Sequence, residues 1–185
     1  MGEHGSEKRV SPWHVPVAVE DVAEIGQHFD LVADADTRAA VAEVAGLRDV
    51  PRLQADFEVT RQGAGLRVAG NVSATVSQTC VVTLEPIANE VEERVDLLLL
   101  PRPVAEKQRA ETGAKDEPRE VKWNDPEPLI GGVVDLGALA TEFLILGLDP
   151  YPRKAGAIFQ PPAQAQPDES PFAALAKLKK GQDAR

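Results

Sequence analysis

Few residues in this chain could do chemistry. The single cysteine, Cys80, stands in QTCVVTLEPI (78–87), and the three histidines are His4, His14 and His28. A zinc site takes about four thiolate, imidazole or carboxylate donors. No CxxC or HxxxH pair supplies them, so no metal residue is assigned. Cysteine catalysis needs a base in reach and a group to orient it; His14 and His28 are the candidates. Cys80, however, shares the parity of Leu66, Val68, Val72, Ala74 and Val76. That points it into a core, where cysteine behaves as a small hydrophobe. Glu92 and Glu93 are neighbours on an expected strand and face opposite sides, so they form no dyad. The patterns GxxxxGK[ST], GxGxxG and GxSxG are absent. The chain reads as a binding protein with no catalytic residue and no cofactor.

The binding candidates are basic and apolar. YPRK (151–154) presents Tyr151, Arg153 and Lys154 on a proline-stiffened segment, either as a rigid connection or as a contact for RNA or protein. PFAALAKLKKG (171–181) sets Phe172, Leu175 and Leu178 at helical spacing beside Lys177, Lys179 and Lys180. This short amphipathic helix either covers its own domain or docks into a partner's groove.

The elements that must position these residues follow from periodicity. VPVAVEDVAEI (15–25) reads as a short first strand. ADADTRAAVAEVAGL (33–47) reads as a helix, capped by Asp36 or Thr37 and closed by Gly46, with Ala39, Ala40, Val41 and Val44 as its stripe. Leu53, Ala55, Phe57 and Val59 alternate with polar residues, QGAG (62–65) turns the chain, and the alternation resumes to Ser77. This predicts an antiparallel hairpin over 53–77, with Gly70 marking a bulge. NEVEERVDLLLL (89–100) reads as a third strand, its pattern broken by Glu93. Residues 101–128 are charged and proline-bearing, with little apolar surface to offset ordering, and read as a mobile acidic insert in which Trp123 alone looks able to dock. DLGALATEFLILGL (135–148) is the main helix, capped by Asp135, with Leu136, Leu139, Ala140, Phe143 and Leu144 on its apolar face. It ends before Asp149-Pro150.

The expected fold is α+β, a mostly antiparallel sheet packed by one main helix and a short one. Residues 1–12 are expected to be flexible, 13–160 to form one domain, and 161–185 to be a linker with a tethered helix. The chain has 185 residues, 43% of them hydrophobic and only 4% aromatic, so its core must be Val, Leu and Ala. No apolar run approaches the roughly 18 residues of a membrane span. No apolar stretch backs the charges at the N-terminus as a secretory signal requires. MGEHGS fits the short myristoylation pattern through Ser6, a pattern often matched by chance. The expected compartment is the cytoplasm. A formal charge of -10 disfavours broad gripping of phosphates, and either suits a basic partner or serves solubility alone.

Three local patterns, in this order, carry a resemblance. They are the turn at Cys80, Leu84 and Pro86; the Asp135-Leu136 helix running into Leu148, Asp149, Pro150, Tyr151 and Pro152; and the tail Pro171-Phe172-Ala173-Ala174-Leu175. The chain resembles the YceD family, the large ribosomal RNA subunit accumulation proteins, in the form of their alphaproteobacterial branch, from about residue 13 to 180. Many members carry Cys-x-Arg-Cys-Leu-x-Pro at the turn and further cysteines after the late helix, which suggests a metal clip. Here Val82 stands at the Arg position, Thr83 at the second Cys position, and RKAGAIF follows Pro152. The resemblance thus implies that Cys80 is a packing remnant.

It also implies a non-catalytic ribosome biogenesis factor supporting accumulation of 23S ribosomal RNA. The expected partner is a basic ribosomal protein or the pre-ribosomal large subunit. Local ribosomal RNA contacts would fall on the basic residues above, with no membrane and no small-molecule substrate. The alternatives are an RNA-processing or RNA-modifying enzyme, and a purely structural oligomerisation module.

Overall fold

The computed structural model describes residues 11–102, 104 and 126–159. Most of the insert and the whole C-terminal segment lie outside these residues, Trp123 and Phe172 to Lys180 among them. The elements in chain order are β1 (Pro16–Ala18), a 3₁₀ turn (Val19–Asp21), β2 (Gln27–Val32), α1 (Ala35–Ala45), β3 (Asp49–Gln62), β4 (Gly65–Thr79), β5 (Pro86–Pro101), β6 (Glu127–Leu129), β7 (Val133–Asp135) and α2 (Leu136–Leu146).

Strict alternation makes β3, β4 and β5 long. Their inward residues, such as Leu53, Phe57, Val68, Val72, Val76 and Val95, are almost wholly buried, while the residues between them face water. The five-stranded sheet runs β2-β3-β4-β5-β6, antiparallel except for the β5–β6 pair. Both helices belong to its inner side: α1 meets β3, and α2 meets β4, β5 and β1. One apolar cluster links Trp13, Val41, Phe57, Val72, Leu136 and Leu144 across the layers. The other face is open and polar, as antiparallel sheets allow. The fold is α+β as expected, and so is the hairpin. Gly63, at φ +60 in the first of two linking positions, gives the pattern of a type II′ turn, whose twist suits the flanking strands.

Several local expectations change. The first strand is only Pro16–Ala18 and pairs with β7 in a separate two-stranded sheet. The cap of α1 is Asp34, not Asp36 or Thr37: its side chain accepts the Thr37 N–H at 2.8 Å. Gly46 closes the helix in the left-handed conformation as predicted. Val44 is 60% exposed, and Val41 and Ala42 are the buried residues of α1. Gly70 is not a bulge. The β3–β4 register runs unbroken through the Phe57–Gly70 pair, and the Asp56 carbonyl lies where a Cβ would go. The insert is ordered at its edges, where Pro101 ends β5 and Glu127–Leu129 form β6. It is also barely acidic, because its acids and bases nearly cancel.

Glu93 points to the inner side and stays half-buried, beside Gly147 at the end of α2. A Cβ on Gly147 would touch the Glu93 side chain. The helix therefore presents bare backbone where the sheet presents a carboxylate stem.

Candidate functional site

Two of the family-like stretches, the Cys80 turn and the segment Leu148 to Pro152, meet at one end of the sheet; the tail pattern at Pro171 to Leu175 lies outside the described residues. The β4–β5 connection is a tight loop. Leu84 N–H donates to the Cys80 carbonyl and Cys80 N–H to the Glu85 carbonyl, each at 2.9 Å. Closing so short a loop puts Leu84 at φ +60, the only non-glycine with positive φ among the described residues. The segment after α2 packs against this loop. Val81 N–H donates to the Pro152 carbonyl at 2.9 Å. Pro152 is buried, whereas Asp149, Pro150, Tyr151 and Arg153 are exposed.

Cys80 is fully buried, as its parity predicts. Its sulfur accepts the Lys154 N–H at 3.3 Å and the Thr83 N–H at 3.4 Å. Donors aimed at sulfur favour the thiolate. The Lys154 N–H, then the Thr83 side chain and its N–H, pull the thiol down to about 6 against the opposing effect of burial. A buried polar joint lies one step inward. Gln78 donates to the Asp149 carbonyl at 3.0 Å and accepts from Asn89 at 2.7 Å. Asp149 also accepts the Tyr151 N–H through its side chain, which turns the chain through Pro150. Gln78 and Asn89 were not singled out in the sequence; their signal is two amides at inward parity on paired strands.

Lys154 does not stand free. Its ammonium lies 2.8 Å from Glu85, and the pair holds the Glu85 carboxyl below, and the Lys154 amine above, their ordinary values. Both are about half exposed, so water screens the pair and it adds little to stability. Tyr151 is 71% exposed. The basic spot is therefore Arg153 beside an exposed ring, with Lys154 tethered to an acid.

The residues weighed for cysteine chemistry are kept apart. His14 bonds to Asp135 at the start of α2, while Cys80 lies near the segment that follows its end, about 16 Å of helix away. His28 sits on β2 against Asp30 and Glu58. Glu58 pairs with Ala69 on β4, so eleven residues of strand, roughly 35 Å, separate that row from Cys80. The donor set also fails to fit the metal clip that the resemblance suggests. Thr83 stands beside the one sulfur, no thiol follows Pro152, and no three metal-ligating side chains converge among the described residues. Asp135 serves as the expected cap of α2, accepting the Ala138 N–H, and also accepts the Val15 N–H at 2.8 Å.

The comparisons with known proteins bear on this end of the molecule. The model of the family described as large ribosomal RNA subunit accumulation protein YceD matches residues 68–179. The chain belongs to the YceD family. The match starts inside β4, takes in the Cys80 loop, β5, α2 and the YPRK segment, and leaves out β1, β2, α1 and β3. No curated protein and no solved structure matches the chain. The family's description names accumulation of a ribosomal RNA and no reaction. No helix among the described residues is long and apolar enough to cross a membrane.

Proposed function

We propose that this protein is a non-catalytic assembly factor that supports accumulation of 23S ribosomal RNA by holding a basic ribosomal protein, free or on the pre-ribosomal large subunit. Family membership gives the process. One observation carries the choice of partner: the undescribed stretches balance their own charges, so the whole formal charge of -10 falls on the described residues. An acidic body attracts cationic protein and repels phosphate over about a Debye length. RNA contact, in this reading, is local, at Tyr151, Arg153 and Lys154 and at the tail residues Lys177, Lys179 and Lys180. Phe172, Leu175 and Leu178 of the tail supply an apolar anchor, and the site of action is the cytoplasm.

The test is a pull-down from the protein's own cell lysate at low and moderate salt, with and without ribonuclease. A ribosomal protein retained after ribonuclease supports the reading and identifies the partner. Loss of all ribosomal material on ribonuclease treatment would show RNA as the bridge and overturn it.

A further inference from the structure

The sheet ends at β2, and this edge is unpaired among the described residues. Ala33 N–H donates to the Leu53 carbonyl, and Leu31 and Phe29 face Ala55 and Phe57. Antiparallel ladders alternate bonded and non-bonded pairs. The main-chain groups of Phe29 and Leu31 therefore turn toward β3, while those of His28, Asp30 and Val32 turn away. These three residues present a row of outward N–H and C=O groups, which is a template for another strand.

The side chains along this edge set what can lie there. On the open face Asp30 stands directly opposite Asp56, a like-charge pair that is unfavourable in itself. His28 approaches Asp30 and Glu58 at 3.1 and 3.7 Å, while Asp56 makes no ion pair among the described residues. A shallow hollow of about 340 Å³ lies between Asp30, Val32, Gln54, Asp56 and Ser73. On the inner side Phe29 and Leu31 are only half-buried.

We propose that the β2 edge binds an extended basic segment of a partner protein by strand addition, with Lys or Arg alternating with apolar residues. The outward main chain of His28, Asp30 and Val32 supplies the hydrogen bonds. The cationic side chains reach the Asp30–Asp56 hollow, and the apolar ones extend the core past Phe29 and Leu31. A second copy of this chain fits poorly, because an antiparallel β2–β2 pair centred on Asp30 places Asp30 opposite its own symmetry mate. The inference rests on the reading of a basic partner given above.

The probe is a short synthetic peptide alternating lysine and valine, titrated into full-length protein by fluorescence polarisation, with amide NMR shifts to locate it. Binding should shift His28, Asp30 and Val32, and the matching glutamate–valine peptide should not bind. Val32→Pro removes one outward N–H at an edge position that tolerates proline; it should keep the wild-type melting temperature and weaken binding about tenfold or more. Asp30→Lys with Asp56→Lys should weaken it as much without touching the backbone, and Glu43→Lys on α1 should not.

Equal affinity in Val32→Pro and the double lysine variant, or shifts confined to other elements, would overturn the proposal. So would a concentration-dependent dimer that Val32→Pro abolishes. Tighter binding once Lys177, Lys179 and Lys180 are changed to Glu would also overturn it, by showing the chain's own tail at the edge. A ribosomal protein retained equally by wild type and Val32→Pro would sink the edge and leave the escort reading. Peptide bound at β2, with only RNA retained from lysate, would do the reverse.

Discussion

The Cys80 loop and the β2 edge treat their polar groups in opposite ways. At the loop they are satisfied within the chain: Cys80 sulfur takes the Lys154 and Thr83 N–H groups, Gln78 bridges Asp149 and Asn89, and Lys154 meets Glu85. At the edge the main chain of His28, Asp30 and Val32 faces outward, and two carboxylates oppose each other. The loop lies inside the family match and the edge lies before it. The Cys80 turn and the segment after α2 thus mark where the chain is clamped to itself, and the unpaired β2 edge lies where no motif is.

Substitutions can break or sharpen this contrast. The largest effect should come from the core that both regions share. Phe57 is fully buried on β3, and Phe57→Ala should cost about 3–5 kcal/mol in urea unfolding, with loss of edge and loop together.

Gln78→Ala leaves the Asn89 amide and the Asp149 carbonyl without their partner. It should cost about 1–3 kcal/mol while leaving lysine–valine peptide affinity at β2 unchanged. A fall in affinity would mean that loop and edge are coupled.

Leu84→Gly removes a side chain from a left-handed position and should raise stability by about 1 kcal/mol. A lower melting temperature would instead show that the exposed Leu84 side chain packs.

The subtlest test is of the thiol. The native state favours the Cys80 thiolate, with its value near 6 against an ordinary 9.0. Between these values the unfolded chain binds the proton more than the native state does, so stability rises with pH across that window. The gain is complete above the ordinary value and lost as pH falls through about 6. Thermal melts of wild type and Cys80→Ala should therefore diverge from pH 6 to 9, and parallel curves would deny the thiolate.

The sequence made some of this plain and hid the rest for physical reasons. Leu53 to Val76 alternates so regularly that only a hairpin satisfies it, and the same parity placed Cys80 inside. Asp135 was legible as a cap because an apolar helix starts directly after it. QHFDLV (27–32) gives only a weak strand signal although Phe29 and Leu31 alternate with His28 and Asp30. It is short and lies between Gly26 and the helix start, and its strand character depends on β3 beside it. Asp36 and Thr37 read as the cap of α1 although Asp34 carries the same kind of acceptor, and only the geometry of the first turn decides for Asp34. Glu93 looked like a flaw in its strand until Gly147 made room for it. The N–H groups on Cys80 come from backbone, which no pattern of side chains encodes.

The small β1–β7 sheet has a consequence for how the molecule is made. Val15 and Asp135 are hydrogen-bonded across 120 positions of chain, and Pro16–Ala18 waits for Val133–Asp135. The meander from β2 to β5 needs only neighbouring segments and can assemble as it leaves the ribosome. The first strand cannot, because its partner is synthesised late and closing so long a loop carries an entropic cost. A nascent chain halted before α2 would keep Trp13 and Val17 uncovered, so a late stall in translation should yield a species that proteases and chaperones can tell from the finished protein.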